Sequence, residues 1–126
     1  MSSPYELIES VTVHRSAVVA PDAQLGDGVA VKECAVIRSR ARIGRGTTVE
    51  SGAHIGESVI IGDECLIGPN CVIMRDCRLG HRVILHPGVV ISAGIVIKDG
   101  AKVGANVSVT PQASRTARRP GKARKT

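Results

Sequence analysis

The sequence predicts an all-β fold, a parallel β-helix made from one short strand and one corner repeated every six residues. Three observations predict it: an aliphatic position of period six, a small position four residues after it, and glycine confined to the residues between. From Val13, steps of six reach Val19, Leu25, Val31, Ile37, Ile43, Val49, Ile55, Ile61, Ile67, Ile73, Leu79, Leu85, Ile91, Ile97, Val103 and Val109, and all 17 positions are aliphatic. Six residues turn an α-helix by about 600° and would smear such a stripe around it, so the period belongs to extended chain.

Let the aliphatic position be i. Position i+4 never carries charge; it runs from Ala17, Ala23 and Val29 through Cys65, Cys71 and Cys77 to Val107 and Ala113. It stands two residues before the next i, so both point to one side of a short strand and i+5 points to the other. Of the 14 glycines, 13 fall at i+1 or i+3. Position i+3 also takes Asp22, Asn70, Asp76 and Asn106, residue types that tolerate φ > 0, so i+3 is a left-handed corner residue. Strands this short satisfy their backbone only by stacking in parallel. Burying one Val, Leu or Ile yields roughly 1.5–3 kcal/mol against roughly 1–2 kcal/mol of backbone entropy per residue, so a stack holds where a single coil does not.

The composition agrees. The 126 residues include one Tyr and no Phe or Trp, and a wall of aliphatic and small residues leaves little room for rings. The length bounds the chain to one domain. The formal charge of +6 is a local feature: residues 1–113 hold 11 Lys+Arg and 11 Asp+Glu, and the excess is Arg115, Arg118, Arg119, Lys122, Arg124 and Lys125. The body is therefore no basic nucleic-acid surface. The tail is disordered by composition and has no aromatic for base stacking. No apolar run is long enough to span a membrane, and Met1 to Ser10 does not read as a signal peptide. With no secretion signal, the four cysteines are expected as thiols in a reducing cytoplasm.

The pattern aliphatic-Gly-x-x-small-x resembles the bacterial hexapeptide-repeat transferases over residues 13–114. The resemblance implies a left-handed parallel β-helix of triangular section, with three hexads per coil and between five and six coils, roughly 25 Å tall. It divides the chain into an N-terminal cap (1–12), the repeat (13–114) and a basic tail (115–126). Segments 14–31, 63–73 and 78–92 are similar to the early coils of the lipid A N-acyltransferases, which acylate UDP-3-O-acylglucosamine from acyl carrier protein. Against them the sequence lacks a uridine-binding domain and later coils, so it reads as a truncated relative.

An acyltransferase of this kind uses a histidine to deprotonate the amine or hydroxyl that attacks a thioester. Of His14, His54, His81 and His86, the last two stand at corners (i+2 and i+1) and are the candidate catalytic residues. The donor is expected to be acyl carrier protein or coenzyme A, with no tightly bound cofactor, and the acceptor an amino- or nucleotide-sugar. His81-x4-His86 also resembles the zinc motif of γ-class carbonic anhydrases. Five extended residues span about 16 Å, too far for one chain to chelate with both, and the positions one coil below are Asp63 and Gly68, so no metal site is expected. The thiols of Cys65, Cys71 and Cys77 are expected in the core, one per face of a single coil.

Two further surfaces follow from the register. The outward column Val18, Val36, His54, Val72, Val90 is apolar and is expected to pack in a homotrimer, with His54 in or near the interface. The basic tail is the expected arm for an acidic acyl carrier protein. The other function class is a catalytically inactive β-helix serving as a scaffold or assembly module, which the absence of any inserted loop favours.

Overall fold

The computed structural model describes residues 5–8 and 10–111, and every element among them is a β-strand. The basic tail, and the predicted end of the repeat at residue 114, lie outside the described residues. β1 (Tyr5–Ile8) runs antiparallel to β2 (Val11–His14). Sixteen strands of two residues each then follow every six residues, from β3 (Val18–Val19) to β18 (Ser108–Val109).

Strands three apart in the chain pair in parallel, each residue with the one 18 positions on: Val18 with Val36, Gln24 with Arg42, Ala30 with Thr48. Three sheets of seven, six and five strands result, and three hexads close one coil. The fold is the predicted left-handed parallel β-helix of hexapeptide coils. Its first face carries the strands at residues 12–13, 30–31 and every 18 beyond, its second face those from Val18–Val19, its third those from Gln24–Leu25.

The predicted inward positions form the core. Val31, Ile37, Val49, Ile55, Ile67, Leu85 and Ile91 at i, with Val29, Ala35, Ala41, Ala53, Val59, Val83 and Val89 at i+4, are almost fully buried. A large residue thus faces a small one in each hexad, which fills a narrow section without rings. The corners also follow the prediction. All 14 residues at i+3 from Gly28 to Asn106 have positive φ, and eight of them are not glycine, Arg40, Glu64 and Arg82 among them.

Glycine at i+1 has a different cause. At Gly68 an added Cβ would stand 2.5 Å from the Leu85 carbonyl oxygen and 2.9 Å from the His86 carbonyl carbon, in the coil above. At Gly56 it would stand 2.8 Å from the Arg75 amide nitrogen. These glycines let the corner of the next coil settle onto the strand end.

The three core cysteines line one coil as predicted and are buried thiols. Each points its Sγ at a corner carbonyl of the coil above: Cys65 at Gly80 (3.1 Å), Cys71 at His86 (3.2 Å), Cys77 at Ser92 (3.0 Å). Thr47, one coil below Cys65, does the same with its hydroxyl to the Gly62 carbonyl at 2.9 Å and accepts the Cys65 N–H at 3.1 Å. None of these four carbonyls takes the three-residue turn bond that closes other corners, such as Ala23 N–H to Ala20 O. A small polar side chain at i+4 supplies the donor instead, which a buried carbonyl requires.

Burial pushes all three thiols above their ordinary value of 9.0, partly offset by hydrogen bonds from neighbouring backbone amides. An unfolded chain therefore releases these protons at a lower pH than the folded one. Below about pH 9 their contribution to stability is intact; above it the unfolded state gains, by up to about 4 kcal/mol per pH unit for three thiols. We expect denaturant midpoints to fall steeply above pH 9. The fall should flatten in a variant with alanine at Cys65, Cys71 and Cys77, the residue that Ala35, Ala41 and Ala53 already supply at i+4. A thiol reagent at pH 8 should modify exposed Cys34 promptly and the other three at the rate of core opening.

Candidate active site

The two predicted histidines do not converge. His81 stands at the corner between the third and first faces, His86 at the corner between the first and second, with the strand Ile84–Leu85 between them. Both side chains are exposed. Each is therefore judged by its own surroundings.

His81 belongs to a ladder. Down its column, 18 residues apart, come Asp99, His81, Asp63 and Arg45. The His81 N–H donates to Asp99 Oδ1 (2.8 Å), the Asp63 N–H to His81 Nδ1 (2.8 Å), and the Arg45 N–H to Asp63 Oδ1 (3.1 Å). Each δ acceptor satisfies the amide one coil below. Because a backbone N–H can only donate, Nδ1 of His81 is the bare nitrogen and the neutral ring carries its proton on Nε2. The Asp63 carboxylate, 3.9 Å from the same Nδ1, would pair with it only if the ring were protonated. The lone pair that a general base needs is thus already engaged.

His86 stands in the opposite situation. Its backbone is fixed, with N–H donating to the Val103 carbonyl (3.0 Å) and C=O accepting from Cys71. Its neighbours in the column are Gly68 below and Gly104 above, so no side chain flanks the ring there. Among the described residues its imidazole makes no hydrogen bond, which leaves both nitrogens open to a ligand. Among the described residues, no three His, Cys, Asp or Glu side chains gather to hold a metal ion.

The second face presents the predicted column, with Val36, His54, Val72 and Val90 half-buried and Val18 exposed. Sequence reasoning missed two features. The first face also turns Leu66 and Ile84 outward, and the same i+5 register would have shown it. The corner after the second face holds a groove of about 460 Å³ lined by Arg38, His54, Glu57, Val72, Met74 and Arg75. Its signal was the stacking of Arg38, Gly56 and Met74 at i+1, with Glu57 and Arg75 at i+2.

Residues 40–75 match the bacterial transferase hexapeptide model (six repeats), and residues 58–111 the model of the hexapeptide repeat of succinyl-transferase. At the level of whole sequences no curated protein matches. Among solved structures, the acetyltransferase domain of PglB from Neisseria gonorrhoeae, in complex with acetyl coenzyme A, is 21% identical. It superposes with a TM-score of 0.77 over 81% of this chain and 52% of its own. A histidine-to-asparagine variant of perosamine N-acetyltransferase from Caulobacter crescentus, in complex with CoA and GDP-perosamine, is 28% identical, with a TM-score of 0.51 over 80% of this chain and 50% of its own. The UDP-N-acetylglucosamine acyltransferase from Campylobacter jejuni shares the fold at 17% identity, with a TM-score of 0.50 over 78% of this chain and 62% of its own. The chain thus spans about half the length of the first two. Residues 40–75 and 58–111 thus carry the hexapeptide repeat of the bacterial transferases, and the coils built from it run unbroken through the described residues.

Proposed function

We propose that the chain is an acyltransferase that moves an acyl group from a thioester donor to an amino- or nucleotide-sugar, chemistry of the lipid A type. The observation that carries the reading is the His86 imidazole, exposed and without a partner among the described residues at a coil corner. There it can take a proton from the acceptor amine or hydroxyl as that group attacks the thioester carbonyl. The perosamine N-acetyltransferase structure, with CoA and a nucleotide sugar bound, supports both substrate classes. It favours coenzyme A over acyl carrier protein as donor; the basic tail is the arm a carrier protein would meet. The working form is a homotrimer packed through the column of Val18, Val36, His54, Val72 and Val90, and its place is the cytoplasm, which suits four free thiols.

The test is thioester consumption with acetyl coenzyme A and with acyl carrier protein as donors, in the presence of amino- and nucleotide-sugars. Turnover above background that needs an acceptor is expected. No turnover with any pair would replace this reading with the scaffold reading, which the absence of any inserted loop among the described coils favours. Sedimentation at micromolar concentration should give three times the chain mass, and a single-chain mass would remove the trimer.

A further inference from the structure

We infer that the groove at the corner after the second face is a binding site for a diphosphate group, with Arg38 and Arg75 as its ligands. Arg38 lies at i+1 of one coil and Arg75 at i+2 two coils above, separated by about 9.5 Å of stack. The coil between them carries Gly56 at i+1, onto which the corner of Met74 and Arg75 settles, and Glu57 at i+2, so the two guanidinium groups flank this coil from below and above. Arg38 forms no ion pair among the described residues. Arg75 has only a 3.7 Å contact to Asp76, on side chains 72% and 62% exposed, which solvent screens. The carboxylate in the groove, Glu57, has a similar 3.8 Å contact to Arg40 Nη2, on side chains 65% and 52% exposed and likewise screened. Neither lining guanidinium group is held by a close ion pair, so a diphosphate has only these exposed contacts to displace.

The remaining walls suit the same ligand. His54 and Val72 stand in the column through which the proposed trimer packs, so the groove borders that interface; the His54 ring makes no hydrogen bond among the described residues and faces a phosphate oxygen from the groove side. Val72 and exposed Met74 supply an apolar wall beside the charged one. Two planar guanidinium groups bind phosphate oxygens in pairs, which distinguishes a diphosphate from a single carboxylate. Under the transferase reading, on which this step alone rests, a diphosphate arrives on either of two carriers, coenzyme A or the nucleotide sugar.

The experiment is calorimetric titration of the full chain with pyrophosphate, then with coenzyme A, and then with a nucleoside diphosphate sugar. Arg38→Gln and Arg75→Gln should each weaken pyrophosphate about tenfold, and the double variant about a hundredfold. Arg42→Gln, an exposed arginine on the third face outside the groove, should leave binding unchanged. The ring resonances of His54, assigned by His54→Asn, should move on saturation. The carrier whose affinity falls with the double variant is the one that uses the groove. Pyrophosphate binding by the wild type that the double variant retains, or that Arg42→Gln weakens equally, overturns the site, and so does no binding at all. Binding of pyrophosphate but of neither carrier keeps the site and overturns the transferase reading. Acceptor-dependent turnover unaffected by the double variant removes the groove and keeps that reading.

Discussion

Replacing Gly68 with valine is expected to destabilise the fold by about 4 kcal/mol or more, and to disturb His86 before the chain unfolds. The cause is a collision between backbones. An added Cβ would meet the Leu85 carbonyl oxygen at 2.5 Å, the His86 carbonyl carbon at 2.9 Å and the Pro87 nitrogen at 3.0 Å, and no side-chain rotation relieves it. Those atoms carry the corner on which His86 stands, so coils 18 residues apart must separate locally. Gly100→Ala is the control. Nothing lies within 4 Å of the added methyl group, and the cost is only that of a non-glycine residue at φ +72°, about 1 kcal/mol. Urea midpoints measure both variants. Equal losses at the two glycines would show that corner conformation, rather than stacking, selects glycine throughout.

That contrast marks how much of the molecule was legible. Period six is a local property of extended chain, so the strands, the inward wall and the left-handed i+3 corner could be read from residue types alone. Glycine at i+1 could be placed at a corner but not explained, because its cause lies 17 to 19 residues away, in the coil above. The cysteines were legible as small core residues. Their S–H contacts to Gly80, His86 and Ser92 were not, since they depend on which corner carbonyls the turns leave unpaired. The same limit applies to the site. The register already places Asp63 below His81 and Gly68 below His86, but only the stack shows that the first ring accepts the Asp63 N–H while the second makes no hydrogen bond among the described residues. The Arg38–Arg75 groove escaped notice because its walls come from different coils.

The histidine pair provides the second large effect. His86→Ala is expected to lower kcat/KM by roughly 100- to 10,000-fold, the usual contribution of a positioned general base, equivalent to about 3–5.5 kcal/mol. Folding should be intact, because the ring makes no hydrogen bond among the described residues and its corner is held by backbone. His81 should behave in the reverse manner. His81→Ala removes the acceptor of the Asp63 N–H and should cost about 1 kcal/mol of stability, read as a lower urea midpoint. His81→Asn places Oδ1 where Nδ1 stood, the arrangement that Asp63 and Asp99 already use on either side, and should restore both stability and turnover. The rescue is the discriminating measurement, since asparagine can accept an amide proton but cannot serve as a base. If His81→Asn is as inactive as His86→Ala, the ladder is not His81's whole function, and the proton is removed at the third-face corner. If instead His81→Asn turns over normally and His86→Ala does not, then the open column between Gly68 and Gly104 is where the acceptor binds.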